Sequence, residues 1–218
     1  MSFSLDAACQ VCLVADAVSF TTKCSMLFDL LKEAGERTNL TRILDEKDYL
    51  IKHVVDSLMI AKFFPELASE PLAVADIGCG AGFPSLVLAL AYPRLKITAI
   101  DSTGKKIDFV SSAASALGLR NIVPVQGRAC ELNRKREWAG RFNIITARAV
   151  GNSKTMYSDT CNMLKKNGRH IFYKTPGQAE SEISELSSIP DGPTWKTTPE
   201  FSLPENAGTR LFIYASNI

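Results

Sequence analysis

The chain has 218 residues, 46% apolar and 22% charged, and a formal net charge of +2. These values exclude a disordered or fibrous chain and suit one larger domain, or a domain with an appended arm. No apolar run reaches the roughly 18–20 residues that span a bilayer, and the start, Met1-Ser2-Phe3-Ser4-Leu5-Asp6, lacks the basic opening of a secretory signal. The expected compartment is the cytoplasm, with no membrane partner. The charge is uneven. Residues 1–100 carry nine basic and twelve acidic side chains, residues 101–174 carry fourteen and five, and residues 175–218 carry two and six. So basic a middle segment suits a polyanion such as RNA, or else a solvated face balanced in space by its flanks. The six cysteines imply no disulfide framework in a cytoplasmic chain of this length. Cys9 and Cys12 form a single C-x-x-C with no second pair, which reads as two small apolar residues in a helix rather than a metal site.

In chain order, residues 4–34 and 46–64 carry helical patterns. Leu27, Leu30, Leu31 and Ala34 fall on one helical face, as do Leu50, Val54, Leu58 and Ala61. Asp45 is the expected N-cap of the second stretch, with Asp48 at the capping-box position. Thr38-Asn39-Leu40-Thr41 between the two has turn character. From Leu72 the period changes. Leu72–Ile77 reads as a buried strand, Pro84–Tyr92 as a helix, Lys96–Ile100 as a second strand and 104–117 as a helix stopped by Gly118. Ile122–Val125 and Phe142–Ala147 are the third and fourth strands. Residues 154–166 are predicted helical, capped by Asn152 or Ser153. Arg169–Lys174 is a fifth strand, followed by a helix near 178–188 and a terminal strand, Arg210–Ala215. Alternation of this kind predicts an α/β fold, a mostly parallel sheet with helices on both faces and ligands at the carboxyl ends of the strands. The reading divides the chain into a helical arm, 1–70, packed on a ligand-binding domain, 71–218.

The first strand runs into Asp76-Ile77-Gly78-Cys79-Gly80-Ala81-Gly82-Phe83-Pro84. Alternating glycines let backbone turn tightly and approach a ligand closely, and Pro84 suits the first turn of the helix behind them. The spacing G-x-G-x-G differs from the dinucleotide fingerprint, and no G-K-[ST] follows. With an acid two residues ahead of the first glycine, the loop resembles motif I of the class I methyltransferases, where it packs against the methionine part of S-adenosylmethionine. Asp101 stands 23 residues after Gly78, at the end of the second strand, where a ribose-binding carboxylate belongs; the alternative is a cap on the next helix. After the third strand, Ala129 and Cys130 stand where such enzymes contact adenine. Cys130 reads as a pocket wall rather than a reactive thiol.

The fourth strand ends Thr146-Ala147-Arg148-Ala149-Val150. It lacks the Asn-Pro-Pro-Tyr used on exocyclic amines and the cysteine that pyrimidine carbon 5 requires. Guanine N7 fits what remains, because its lone pair needs no general base and transfer then depends on alignment. No catalytic residue is therefore assigned. Arg148 is the positioning candidate, holding O6, a phosphate or the cofactor carboxylate; a salt bridge to a neighbouring acid is the alternative.

Beyond motif I, the pieces Asn39-Leu40-Thr41, His53 with Asp56-Ser57, Asp76 to Pro84, Asp101-Ser102, Lys105-Lys106, Asn121-Ile122, Arg128, Ala147-Arg148-Ala149, Gly168-Arg169, Lys174 and Arg210 occur in one order over about residues 37–215. In these the chain resembles the ribosomal small-subunit methyltransferase G family, also called glucose-inhibited division protein B. The resemblance implies a Rossmann-like class I methyltransferase fold with a mostly parallel seven-stranded sheet and an N-terminal helical arm. It implies S-adenosylmethionine as methyl donor and N7 methylation of one guanine in the decoding-region hairpin of 16S ribosomal RNA. The partner is that RNA or a small-subunit particle, with no obligatory protein partner evident. Expected cofactor contacts are Gly78, Gly80, Phe83, Asp101, Ala129, Cys130 and Arg148; no metal is expected. The sequence departs from the family in four places. Cys130 stands where an acid is usual, with Glu131 next to it. Ser85 replaces a common glycine. Thr175-Pro176 interrupts the usual Lys-Gly. The tryptophan often found ahead of Asn-Leu-Thr is missing. Two other readings stay open: methylation of another RNA position or a small molecule, and a non-catalytic RNA-binding or cell-division factor with a vestigial pocket.

Overall fold

Runs of β-branched and apolar residues closed by glycine or a polar cap give the strands. In this computed structural model, which describes residues 4–37 and 45–216, β1 (Ala73–Ile77), β2 (Lys96–Asp101), β3 (Ile122–Gln126), β4 (Phe142–Arg148) and β5 (Leu164–Lys174) pair in parallel in the order β3-β2-β1-β4-β5. Two short strands, β6 (Lys196–Thr197) and β7 (Phe201–Ser202), precede β8 (Thr209–Ser216). β8 runs antiparallel beside β5, and β6 and β7 both pair with β8. Seven strands lie on one hydrogen-bonded path and β7 makes an eighth off it. β6 and β7 are too short to show a period of two, and Pro199 stands between them. The chain crosses from β1 outward to β2 and β3, then returns to β4 on the other side of β1. That reversal opens a crevice at the carboxyl ends of β1 and β4.

Helices fill both faces. The arm holds α1 (Leu5–Val11) and α2 (Ala17–Arg37). The predicted single stretch 4–34 is broken here: Leu13 has a left-handed φ of 58°, and Asp16 Oδ1 accepts from Ser19 N at 3.0 Å to start α2. Next come α3 (Glu46–Tyr49), a π-helical turn (Leu50–Val55), α4 (Asp56–Leu58), α5 (Ile60–Phe63) and α6 (Glu66–Ser69). Asp45 caps α3 as expected, its Oδ1 accepting from Asp48 N at 2.9 Å. The Asn39-Leu40-Thr41 turn lies outside the described residues. After the first strand the helices are α7 (Ser85–Ala91), α8 (Gly104–Ala116), α9 (Ala129–Leu132), α10 (Ser153–Ser158) and α11 (Pro176–Ser187). Asn152 caps α10, its Oδ1 accepting from Lys154 N at 2.8 Å. The helix predicted to run to 166 stops at Ser158. Leu164 already pairs with Phe142, and Lys165–Gly168 form an excursion before the ladder resumes at Ile144 and Arg169. Asn167, with φ of 62°, turns that excursion where a helix would need φ near −60°.

Strand residues alternate between two cores. Val74, Ile97, Ala99, Ile144, Ile171, Tyr173 and Phe212 share one apolar cluster with Leu5, Phe20, Leu27, Val54, Leu58 and Leu86. The arm therefore shares a continuous core with the sheet. Ala75, Ile77, Ile100, Ile145, Ala147 and Phe172 form the other, with Trp138, Met163, Ala179 and Trp195. Three buried tyrosines tie the arm down. Tyr49 Oη donates to Cys24 O at 3.0 Å, Tyr92 Oη to Cys12 O at 2.6 Å and Tyr173 Oη to Ser57 O at 2.9 Å. Each such bond contributes about 1 kcal/mol net. Cys9, Cys12 and Cys24 are buried in the same layer, and burial pushes the thiols of Cys9 and Cys12 up to about 11 and about 12. Weakly acidic thiols of this kind behave as small apolar side chains.

Candidate active site

A cleft of about 620 Å³ opens at the carboxyl ends of β1, β2 and β4. Gly78, Gly80, Phe83, Asp101, Ala129, Cys130 and Arg148, the seven residues expected to hold a cofactor, all line it. His53 of the arm lines it too, as do Val150, Met156 and Asp159.

One wall is made by backbone. Gly78 has φ of 67°, and a Cβ there would overlap the side chain of Val150. Gly80, with φ of 57°, is the opposite case, since a Cβ there would meet nothing closer than Gly78 O at 4.0 Å. Open space stands over that backbone. Gly78 N and Cys79 N donate to Ile100 O at 2.7 and 3.0 Å, which fixes the loop to the end of β2. Asp101 follows. Its Oδ2 accepts from Gly80 N at 3.0 Å and its Oδ1 from Thr103 N at 2.9 Å, with Lys106 Nζ 3.5 Å from Oδ2. Asp101 thus braces the turn that leads into α8 through Thr103 N, without capping the helix itself, and its carboxylate stands at the cleft. A carboxylate offers about four acceptor positions, so each oxygen keeps capacity for a hydroxyl. Behind the loop Asp76 is fully buried. Its Oδ2 accepts from Ser85 N at 3.2 Å and from Ser85 Oγ. Burial raises its carboxyl to about 7, against the lowering effect of the Ser85 bonds.

The other wall depends on side chains brought from far apart in sequence. Arg148 Nη1 donates to Asp56 Oδ2 and to Lys52 O, both at 2.9 Å, and Nη2 lies 3.0 Å from His53 Nδ1. Arginine only donates, so Nδ1 accepts and the imidazole carries its proton on Nε2. Burial, with Arg148 adding to it, lowers His53 to about 3, and the ring is neutral. The π-helical turn supplies the carbonyl: Asp56 N–H bonds His53 O and Ile51 O rather than Lys52 O, and Lys52 O receives Arg148. Such turns often mark functional positions. The His53 ring stacks on Phe83 at 4.3 Å and 12°, and the Arg148 guanidinium stands 5.8 Å from the same phenyl ring. Asp56 Oδ1 is 3.6 Å from Arg210 Nε. The salt-bridge alternative for Arg148 is therefore realised, while the residue still faces the cleft.

Sequence reasoning gave no role to His53, Asp56 or Lys52. The spacing of His53 and Asp56, i and i+3 on one helical face, was the available signal. It also missed Lys174 with Glu182. This buried pair, at 2.8 Å, holds the loop after β4: Lys174 Nζ donates to Gly151 O at 3.1 Å and Glu182 Oε2 accepts from Ser153 N at 2.8 Å. Nothing local in the sequence announces it. No group of three or more His, Cys, Asp or Glu able to hold a metal occurs among the described residues.

A switch-point cleft with a glycine loop and an acid after the second strand defines a Rossmann-like fold of the class I methyltransferase type. Solved structures agree on the fold. A SAM dependent methyltransferase from Aquifex aeolicus aligns with a TM-score of 0.58 at 17% identity, over 80% of this chain and 95% of that one. Spermidine synthase from Thermotoga maritima aligns with a TM-score of 0.59 at 17% identity, over 79% and 61%. Fold alone thus leaves the reaction open, and sequence narrows it. The family model for rRNA small subunit methyltransferase G matches residues 21–190. The Ribosomal RNA small subunit methyltransferase G of Staphylococcus epidermidis is 39% identical over 188 residues, 85% of this chain and 77% of the relative. This chain belongs to that methyltransferase G family.

Proposed function

We propose that the chain transfers a methyl group from S-adenosylmethionine to N7 of one guanine in the decoding-region hairpin of 16S ribosomal RNA, as free RNA or within a small-subunit particle, in the cytoplasm. The observation that carries the reading is the union of the glycine loop and the Asp101 carboxylate, bonded at 3.0 Å through Gly80 N, at one cleft. Open space over Gly80 and the acceptor capacity left on Asp101 fit a nucleoside whose sugar hydroxyls bond the acid. When bound, S-adenosylmethionine supplies an electrophilic methyl on a sulfonium. Asp101 accepts the ribose hydroxyl protons, Gly78, Gly80 and Phe83 bound the methionine end, and Ala129 and Cys130 present backbone to the adenine edge. Guanine N7 needs no proton removed, so the chain's work is alignment and exclusion of water. This agrees with His53, whose Nδ1 lone pair is already taken by Arg148 Nη2 at 3.0 Å and so is not free to accept a proton.

Residues 1–70 are proposed as an arm packed on the 71–218 domain, contributing His53 to the cleft. A guanine inside a hairpin must be unstacked before it reaches such a cleft. No helix among the described residues is long and apolar enough to cross a membrane. The test is incubation with S-adenosylmethionine carrying a labelled methyl and deproteinised ribosomal RNA, followed by mass mapping. Label at one guanine N7 of 16S RNA is expected. Label only in small molecules or at another base would overturn the reading.

A further inference from the structure

Five charged side chains line the cleft among the described residues, three basic (Lys106, Arg128, Arg148) and two acidic (Asp101, Asp159). Lys106 is paired with Asp101, at 3.5 Å. Arg148 is the most deeply set of the cations, 12% exposed, and its guanidinium cannot shed its proton. Both the methyl donor and an N7-methylated guanine are cations. A bare arginine facing the same small cleft would repel each of them, because charges within a Debye length and partly buried are weakly screened. Asp56 stands directly behind Arg148, 2.9 Å away and 7% exposed, and offsets the charge of the guanidinium. It sits on the arm, 92 residues from its partner. Arg210 shares its other oxygen at 3.6 Å, so removal of Asp56 would leave two arginines facing one another. The bonds to Lys52 O and His53 Nδ1 then keep the guanidinium in place without adding charge.

We propose that Asp56 is a positioning residue acting through Arg148: it cancels the charge of the guanidinium so that the cleft accepts a sulfonium ligand. The arm thereby sets the cofactor's charge preference as well as forming a wall. The proposal rests on the reading that the cleft takes S-adenosylmethionine.

Calorimetry on the full chain tests it, comparing S-adenosylmethionine with S-adenosylhomocysteine, which has the same shape without the sulfonium charge. Asp56→Asn keeps the size and an acceptor for Arg148 and removes only the charge. Affinity for S-adenosylmethionine should fall about fivefold or more beyond any loss for S-adenosylhomocysteine. The double variant Asp56→Asn with Arg148→Gln, which has the wild-type net charge, should restore the ratio of the two affinities. A purely structural role would weaken both ligands together, and equal losses or an unmoved ratio overturn the proposal. Should Asp56→Asn not fold, Arg148→Gln alone gives the opposite reading: the ratio should move toward S-adenosylmethionine, and a ratio left at its wild-type value overturns the proposal. Failure of the wild-type chain to bind either ligand would instead overturn the cofactor reading on which the proposal stands.

Discussion

The two walls of the cleft are built by different means. The glycine-loop wall is local: Gly78 to Phe83 lie within six residues, and their positions follow from left-handed backbone and bonds to the end of β2. The Arg148 wall is non-local: one guanidinium joins the tip of β4 to Lys52, His53 and Asp56 across more than 90 residues. A backbone wall tolerates changes at its x positions but rejects a Cβ where a neighbour closes over it, as Val150 does over Gly78. A side-chain wall tolerates nothing that strands a charge. In the first case the cost of error is steric, in the second electrostatic, and the second is larger in a buried setting.

The sharpest way to break this contrast is Asp56→Ala. It leaves Arg148 buried beside Arg210 without the acid, and stability measured by urea unfolding should fall by about 3–5 kcal/mol. A loss below 1 kcal/mol would show the pair to be a surface-like contact. Gly78→Ala comes next. Positive φ and overlap with Val150 should together cost about 2–3 kcal/mol in the same assay and lower the affinity for S-adenosylmethionine at least tenfold, read by calorimetry. Wild-type affinity in that variant would remove the steric account of the wall. Asp101→Asn should keep the thermal melting point within a few degrees while weakening the cofactor by about 1.5–3 kcal/mol, the worth of a hydrogen bond to a charged group. Unchanged binding would leave Asp101 as a brace between the glycine loop and the turn before α8 and nothing more.

A control away from both walls comes from His170. It is fully buried on the opposite face of the sheet, beside Thr160 Oγ1, and burial lowers it to about 3. An unfolded chain takes up a proton there near pH 6.5, the folded chain only near 3. Its contribution is therefore intact above pH 6.5 and lost progressively as pH falls toward 3. His170→Gln should flatten that acid slope by about 3 kcal/mol at pH 4.5, followed by unfolding at a series of pH values. Asp76 works the other way, since its raised carboxyl costs stability as pH climbs from about 4 to about 7, and Asp76→Asn should leave the high-pH side higher. The smallest effect belongs to the exposed link between arm and β7–β8 turn, Lys47 with Glu205 at 3.1 Å. Lys47→Ala should change stability by less than about 0.5 kcal/mol. A loss as large as that of Asp56→Ala would mean that exposure does not separate the two arm contacts.

Most strands of the parallel sheet could be placed from sequence to within two residues, because an apolar run between glycine and a helical period leaves few choices. β5 departed from this: the excursion Lys165–Gly168 hides its start, and Leu164 looks like the last turn of a helix until Phe142 pairs with it. The break between α1 and α2 was also hidden, since Leu13 turns left-handed without a glycine to mark it.

By itself the sequence determined that the glycine loop, Asp101 and Ala129–Cys130 meet at one cleft, because each directly follows a strand and spacing along a short stretch fixes backbone geometry there. Only tertiary structure decided the partners of Arg148, the stacking of His53 on Phe83 and the clamp of Lys174 with Glu182 on the β4 loop. Those contacts join residues whose separation along the chain carries no period or motif. A charge declares its need for a counterion in the sequence, but which counterion it receives depends on how the layers stack.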